Sequence, residues 1–207
     1  MTLPDDIPLF PLPNVVLFPD GYLPLHIFEE RYRAMTRQAL GGTRLIGMTV
    51  LRESPAGEHD GAPPIYATGC AGAIVHHEAL ADGRFNIVLQ GVARFEVQRE
   101  VPDAAPFRVA RVRWHEEPDA SGRHATVTAL RRQVETLLLP AVSRGEVRLP
   151  QGLTDQGLIN AVCQALDIPV VEKLALLEKP DIRLRAQALV PILERLLITQ
   201  PGSGQVH

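Results

Sequence analysis

His76-His77-Glu78 places two imidazoles and a carboxylate side by side, the side chains that most often hold transition metals. Adjacent strand residues point to opposite faces, so the two rings cannot easily chelate one ion. Neither Cys-x-x-Cys nor His-Glu-x-x-His accompanies them, and no metal is expected. A phosphate-binding loop would need Gly-x-x-x-x-Gly-Lys. The two lysines, Lys173 and Lys179, do not follow glycines, which excludes that loop. The serines are Ser54, Ser121, Ser143 and Ser203, and none lies in Gly-x-Ser-x-Gly. Cys70, within TGCAGA, could act as a thiol nucleophile, but a small buried strand residue explains it better. Cys163 falls on an apolar helical stripe and reads as core for the same reason.

Other polar groups also favour structural roles. His26 lies between Leu25 and Ile27 and reads as a hydrogen-bonded structural histidine. Glu29, Glu30 and Arg31 suit a solvated helix start more than a pair of catalytic carboxylates. Arg111 and Arg113 beside Trp114 could touch nucleic acid, yet Glu116 and Glu117 follow at once and favour a solvated strand face. The net charge of −3 gives no electrostatic reason to approach nucleic acid or an anionic membrane. With two cysteines, a disulfide framework is not expected, and a reduced cytoplasmic setting fits. The arginine and alanine bias suits a GC-rich bacterial genome.

The elements that must carry these residues fall into two kinds. The opening run PLFPLPNVVLFPDGYLPLHIFEERY is apolar but holds five prolines and follows an acidic start. That excludes a signal peptide and a membrane helix. Residues 14–18 and 22–28 read as strands joined by a turn at Asp20-Gly21, with prolines at the bends. Residues 29–40 read as a helix ended by Gly41-Gly42, and 44–51 as a strand. Residues 53–64 read as a polar surface loop. Phe85, Ile87, Leu89, Ala93, Phe95 and Val97 alternate in one phase, with Gly91 as a bend or bulge and Asp82-Gly83 as a hairpin turn back to residues 74–77. Residues 107–115 form a further strand with Ala110, Val112 and Trp114 on one face. This spacing points to a small, nearly closed barrel.

After EEPDASGRH the period becomes helical. Stripes run through Val127, Leu130, Val134, Leu137 and Ala141; through Ile159, Val162 and Leu166; through Leu174 and Leu177; and through Ala186, Leu189, Leu193 and Leu196. Pro140, Pro150, Pro169 and Pro180 mark joints, and Pro191 should kink the last helix.

The segment PLHIFEERY, residues 24–32, resembles the opening of the N-terminal, substrate-binding domain of ATP-dependent Lon proteases, nearest to its stand-alone bacterial version. DGRFNIVLQGVARF, FRVARVRW and EKLALLEKPDIRLRAQAL agree in order, so the resemblance covers nearly the whole sequence. FPDG at 18–21 departs from the more usual Phe-Pro-Gly. The resemblance implies an α+β fold, a PUA-like pseudo-barrel over residues 1–118 followed by a helical bundle over 119–207. It also implies recognition of polypeptides. The ATPase and Ser–Lys peptidase of full-length Lon are not in this sequence, so no enzymatic activity and no cofactor are expected. The zinc-bearing ligand domain of cereblon is missing as well.

Two functions follow. The first is a non-enzymatic module binding exposed apolar segments of unfolded client polypeptides, with Tyr22 and the loop residues Pro63, Pro64 and Ile65 as leading contacts. The second is an enzyme or small-ligand protein with a pocket between barrel and bundle, lined by Pro19, Tyr22, Phe28 and Trp114. Plain core packing competes at those four positions, most strongly for Phe28 and Trp114. RNA binding rests on fold analogy alone and conflicts with the charge.

Overall fold

A computed structural model describes residues 3–53, 63–116, 124–145 and 152–199. The 1–118/119–207 boundary falls outside these residues, as do Pro150 and most of the polar loop expected at 53–64. Six strands, β1 (Asp6–Leu12), β2 (Tyr22–Ile27), β3 (Leu45–Val50), β4 (Thr68–Ala79), β5 (Phe85–Glu100) and β6 (Val109–His115), form one mixed sheet in the order β2-β5-β4-β3-β1-β6. A further β5–β6 pairing bends that sheet into a closed ring. Strand β5 makes closure possible because it is 16 residues long. Its first half pairs with β2 and its second half with β6, while β4 runs beside both. A register irregularity at Ala71/Gly72, opposite the Gly91–Ala93 stretch, supplies the bend expected near Gly91.

The strand expected at 14–18 is not there. These residues form an irregular segment, although Val16, Leu17 and Phe18 are buried. The first strand lies upstream and contains Pro8 and Pro11. It tolerates them because its pairing is split: residues 6–8 face β6 and residues 9–12 face β3 in parallel. Each proline therefore has one side free of ladder bonds, where a missing donor costs nothing. At 14–18 the backbone is satisfied differently, since the Phe18 amide donates to Gln164 Oε1 at 3.0 Å. An irregular segment can be buried when side chains replace the ladder.

Helix α1 (Glu30–Leu40) follows β2 and buries Tyr32, Met35, Thr36 and Ala39. Helices α2 (His124–Ser143), α3 (Asp155–Ala165), α4 (Val170–Leu177) and α5 (Ile182–Thr199) follow the ring. The four apolar stripes fall on these helices as expected, with Val134, Ile159, Leu174, Ala186 and Leu189 buried. Pro191 lies inside α5, and Pro140 lies inside α2 near its C-terminal end instead of at a joint. Thr154 caps α3 by accepting a hydrogen bond from the Gly157 amide at 3.0 Å.

Ring and helices share one hydrophobic core, running from Phe10, Phe18 and Leu89 to Leu158, Leu189 and Leu193. Two buried arginines fasten the helical part. Arg94 on β5 donates to the carbonyl oxygens of Leu177 and Pro180, at 3.0 and 2.9 Å, around the end of α4. A cation there also meets the negative end of the helix dipole. Arg185 on α5 is fully buried and donates to Asn160 Oδ1 at 2.6 Å and to the carbonyl oxygens of Leu176 and Lys179. Its guanidinium lies 5.9 Å from the centre of the Phe18 ring. A second, smaller cluster of Ile7, Leu9, Ala71, Phe95, Ala110 and Val112 fills another part of the ring.

Both cysteines are free and buried. Burial pushes the Cys163 thiol up to about 12, so it is protonated at neutral pH. Neither thiol should react with an aromatic disulfide reagent in the folded protein at pH 7.5, and both should react after denaturation. The release of coloured thiolate measures this, and rapid labelling of folded protein would contradict the packing described.

Candidate functional site

The turn at 18–21 lies where the ring meets the helices, and Gln164 of α3 holds it from two directions. Its Oε1 accepts from the Phe18 amide, and its Nε2 donates to the Tyr22 carbonyl oxygen at 2.8 Å. Gly91 lies beneath the same turn: its amide donates to the Gly21 carbonyl oxygen and its own carbonyl accepts from the Asp20 amide. Asp20 adopts a left-handed backbone with φ 63°, a conformation that aspartate tolerates better than most residues.

This arrangement leaves an open cleft of about 600 Å³ between ring and helices. Val15, Val16, Tyr22 and Leu23 form one wall, and Leu153, Ala161, Gln164 and Lys173 contribute to the other. The ionisable side chains in its lining are Asp20, Tyr22 and Lys173. Lys173 is half-buried and donates to the Gln164 carbonyl oxygen at 2.8 Å. Burial holds its ammonium below the usual lysine range, opposed by the charge of Asp167. The cleft thus offers mainly apolar walls with the amides of Asn14 and Gln164, one carboxylate, Asp20, and one cation, Lys173.

A second surface adjoins it along β2. Strand alternation turns Leu23, Leu25 and Ile27 toward the protein and leaves Tyr22, Pro24, His26 and Phe28 outward. Tyr22 is 58% exposed and Phe28 62% exposed. Phe28 is therefore not core, contrary to the packing expected for it. Its ring stacks near His26 with centroids 6.3 Å apart. His26 is hydrogen-bonded, as expected, through Nδ1 to Asn86 Oδ1 at 2.7 Å, but it is exposed. Across the seven residues from Tyr22 to Phe28 the stripe spans about 20 Å at the usual strand rise.

The residues singled out from the sequence thus fall in separate places. Tyr22 lines the cleft. Pro19 is buried and Phe28 lies at the far end of β2, so neither lines it. Trp114 is half-buried and packs its ring edge-on against Phe95, with Nε1 donating to the Pro4 carbonyl oxygen at 2.9 Å. Ile65 joins the same small cluster as Trp114 and bridges to Leu51. Pro63 is exposed, and its carbonyl oxygen accepts from Arg108 at 2.7 Å. Of Pro19, Tyr22, Phe28 and Trp114, Tyr22 lines this cleft, together with residues of α3 and α4.

Sequence reasoning missed Gln164 and Lys173. Lys173 carried one signal, as one of two lysines in an arginine-rich chain. Arg111 is exposed and paired with Asp6 through two hydrogen bonds of 2.9 and 3.2 Å, which fits a solvated face. Among the described residues no group of three or more His, Cys, Asp or Glu side chains is placed to hold a metal ion. No helix among them is long and apolar enough to cross a membrane.

The fold is that of a Lon N-terminal domain. It is similar to the N-terminal domain of Mycobacterium avium complex Lon protease, with a TM-score of 0.69 at 16% identity, covering 91% of this chain and 98% of that one. The Lon N-terminal domain protein from Xanthomonas campestris is also similar, with a TM-score of 0.56 at 25% identity over 95% of this chain and 99% of that one. Residues 6–195 match the ATP-dependent protease La (Lon) substrate-binding domain, and the chain belongs to that family. Lon protease 2 of Myxococcus xanthus is 30% identical over 200 residues, covering 93% of this chain and 24% of that protease. The Lon protease of Anaeromyxobacter dehalogenans is 27% identical over the same length, covering 93% and 23%. The chain thus spans about a quarter of the length of these relatives.

Proposed function

We propose that this domain binds exposed apolar segments of unfolded polypeptides, without catalysing a reaction on them. The observation that carries the reading is the outward stripe of Tyr22, Pro24, His26 and Phe28, which runs into the open cleft beside α3. Membership of a substrate-binding family supports it. Exposed aromatic rings offer large contact area at little entropic cost, and the length of the stripe suits an extended chain of about six residues. Tyr22 is the principal contact and Phe28 the second. Pro63, Pro64, Ile65 and Trp114 lie apart from this surface, and Ile65 and Trp114 pack on the small core cluster.

The test is Tyr22→Ala, with retention of a denatured client measured beside thermal stability. Because Tyr22 is exposed, the melting temperature should move by no more than about 1–2 °C, in line with surface substitutions. Affinity should fall roughly five- to tenfold, about 1–1.4 kcal/mol, more than most interface residues contribute but less than a fully buried anchor. Raising salt from 50 to 500 mM should hardly weaken an uncharged client, since the contact is apolar. A mutant that melts several degrees earlier would return Tyr22 to a packing role. Failure of the parent protein to retain any denatured client would end the proposal.

A small-ligand reading keeps one observation in its favour. The cleft volume of about 600 Å³ lies within the usual range of ligand pockets. A small molecule retained through purification and released on denaturation would support it.

A further inference from the structure

We infer that the cleft selects client segments carrying an acidic side chain among apolar residues, with Lys173 pairing to that carboxylate; this rests on the polypeptide-binding reading above. Lys173 lines the cleft and is half-buried among mainly apolar walls that also carry Asn14, Asp20 and Gln164. Its ammonium has three donors, and its hydrogen bond is to a single acceptor, the Gln164 carbonyl oxygen. Among the described residues no carboxylate lies within ion-pair distance of it, whereas Arg131 and Arg195 on neighbouring helices are paired.

Partial burial penalises the charged form of this lysine, and the direction of its pKa agrees. An incoming carboxylate would offset that penalty, because a charge pair in a partly desolvated site is less screened than one in open water. An amide could accept a hydrogen bond there without supplying the charge. Asp20, on the opposite lip, is exposed, so solvent weakens its repulsion of an acidic ligand. Tyr22 and Leu23 belong to both the cleft and β2, so a chain lying along β2 enters the cleft in mid-sequence. An internal Asp or Glu side chain is therefore the occupant, in preference to a chain terminus.

The experiment uses two fluorescent peptides with acetylated and amidated ends, identical except for one central Glu or Gln within leucine and phenylalanine residues. Anisotropy titration against the full chain should show the Glu peptide binding roughly three- to tenfold tighter. Lys173→Met should bring the ratio to about one by weakening the Glu peptide alone, and Lys173→Arg should preserve most of it. A third peptide, with the central Gln and a free C-terminus, should bind no better than its amidated form. A ratio of one in the parent protein, with both peptides bound, would overturn this inference and leave the polypeptide reading standing. So would equal weakening of both peptides by Lys173→Met, which would mark a structural lysine, or preference for the free terminus. If neither peptide binds, both readings fall. The parent ratio decides the matter even where the Met variant folds poorly.

Discussion

Replacing Arg185 by alanine should lower the melting temperature by roughly 10 °C. Arg185 is among the largest fully buried side chains, and it gathers Asn160 Oδ1 with the carbonyl oxygens of Leu176 and Lys179. The Leu176 carbonyl still accepts from the Lys179 amide after truncation. The Asn160 oxygen and the Lys179 carbonyl lose a charged donor, and the space beside Phe18 is left poorly filled. Stranding buried acceptors and opening a void together cost about 3–5 kcal/mol. For a chain of this size each kcal/mol shifts the midpoint by about 2–4 °C. Thermal unfolding followed by circular dichroism measures this. A shift below about 3 °C would mean that the three acceptors find other partners and that Arg185 does not organise the helices.

Gly91→Ala should be the second most damaging change, and it should also impair client binding. A methyl group at Gly91 would meet the Phe18 carbonyl oxygen at 2.0 Å and its carbonyl carbon at 2.8 Å, both backbone atoms. No rotamer relieves such a clash, so the 18–21 turn must move. Overpacking of this kind costs about 1–3 kcal/mol, which predicts a midpoint lower by roughly 3–10 °C. The displaced turn should also weaken the Gln164 clamp that positions Tyr22. Client affinity should therefore fall in a variant whose own side chain lies outside the cleft lining, unlike in Tyr22→Ala, where stability is kept. Unchanged stability together with unchanged affinity would show that the turn does not rest on Gly91.

Much of this fold could be read from residue patterns, but only where one physical rule dominated. Period-2 alternation located β5 because its inward residues are large and regular, and period-3.6 stripes located the four later helices. The first strand escaped because Pro8 and Pro11 argue against a ladder unless each half has a single partner. Whether that holds depends on β3 and β6, which lie far along the chain. Arg94 and Arg185 escaped because an arginine reads as solvated unless nearby carbonyls are known. Arg185 did carry a signal, since it sits four residues before Leu189 on the buried face of α5. Core packing, the competing explanation for Phe28, does not hold, since its ring is exposed. Its place in the outward phase of Tyr22, Pro24 and His26 was the better guide.

The split pairing of β1 also constrains the order of events as the chain leaves the ribosome. Asp6 pairs with Arg111, so the ring cannot close until a strand 105 residues downstream has emerged. Arg94 waits longer still, because the Leu177 oxygen that receives it lies 83 residues downstream. During that interval a guanidinium destined for burial sits beside strands that are already apolar, and β1 has no partner on its β6 side. Closure over such separations pays its loop entropy before any reward arrives. The domain therefore passes through a stage in which its own apolar segments are exposed.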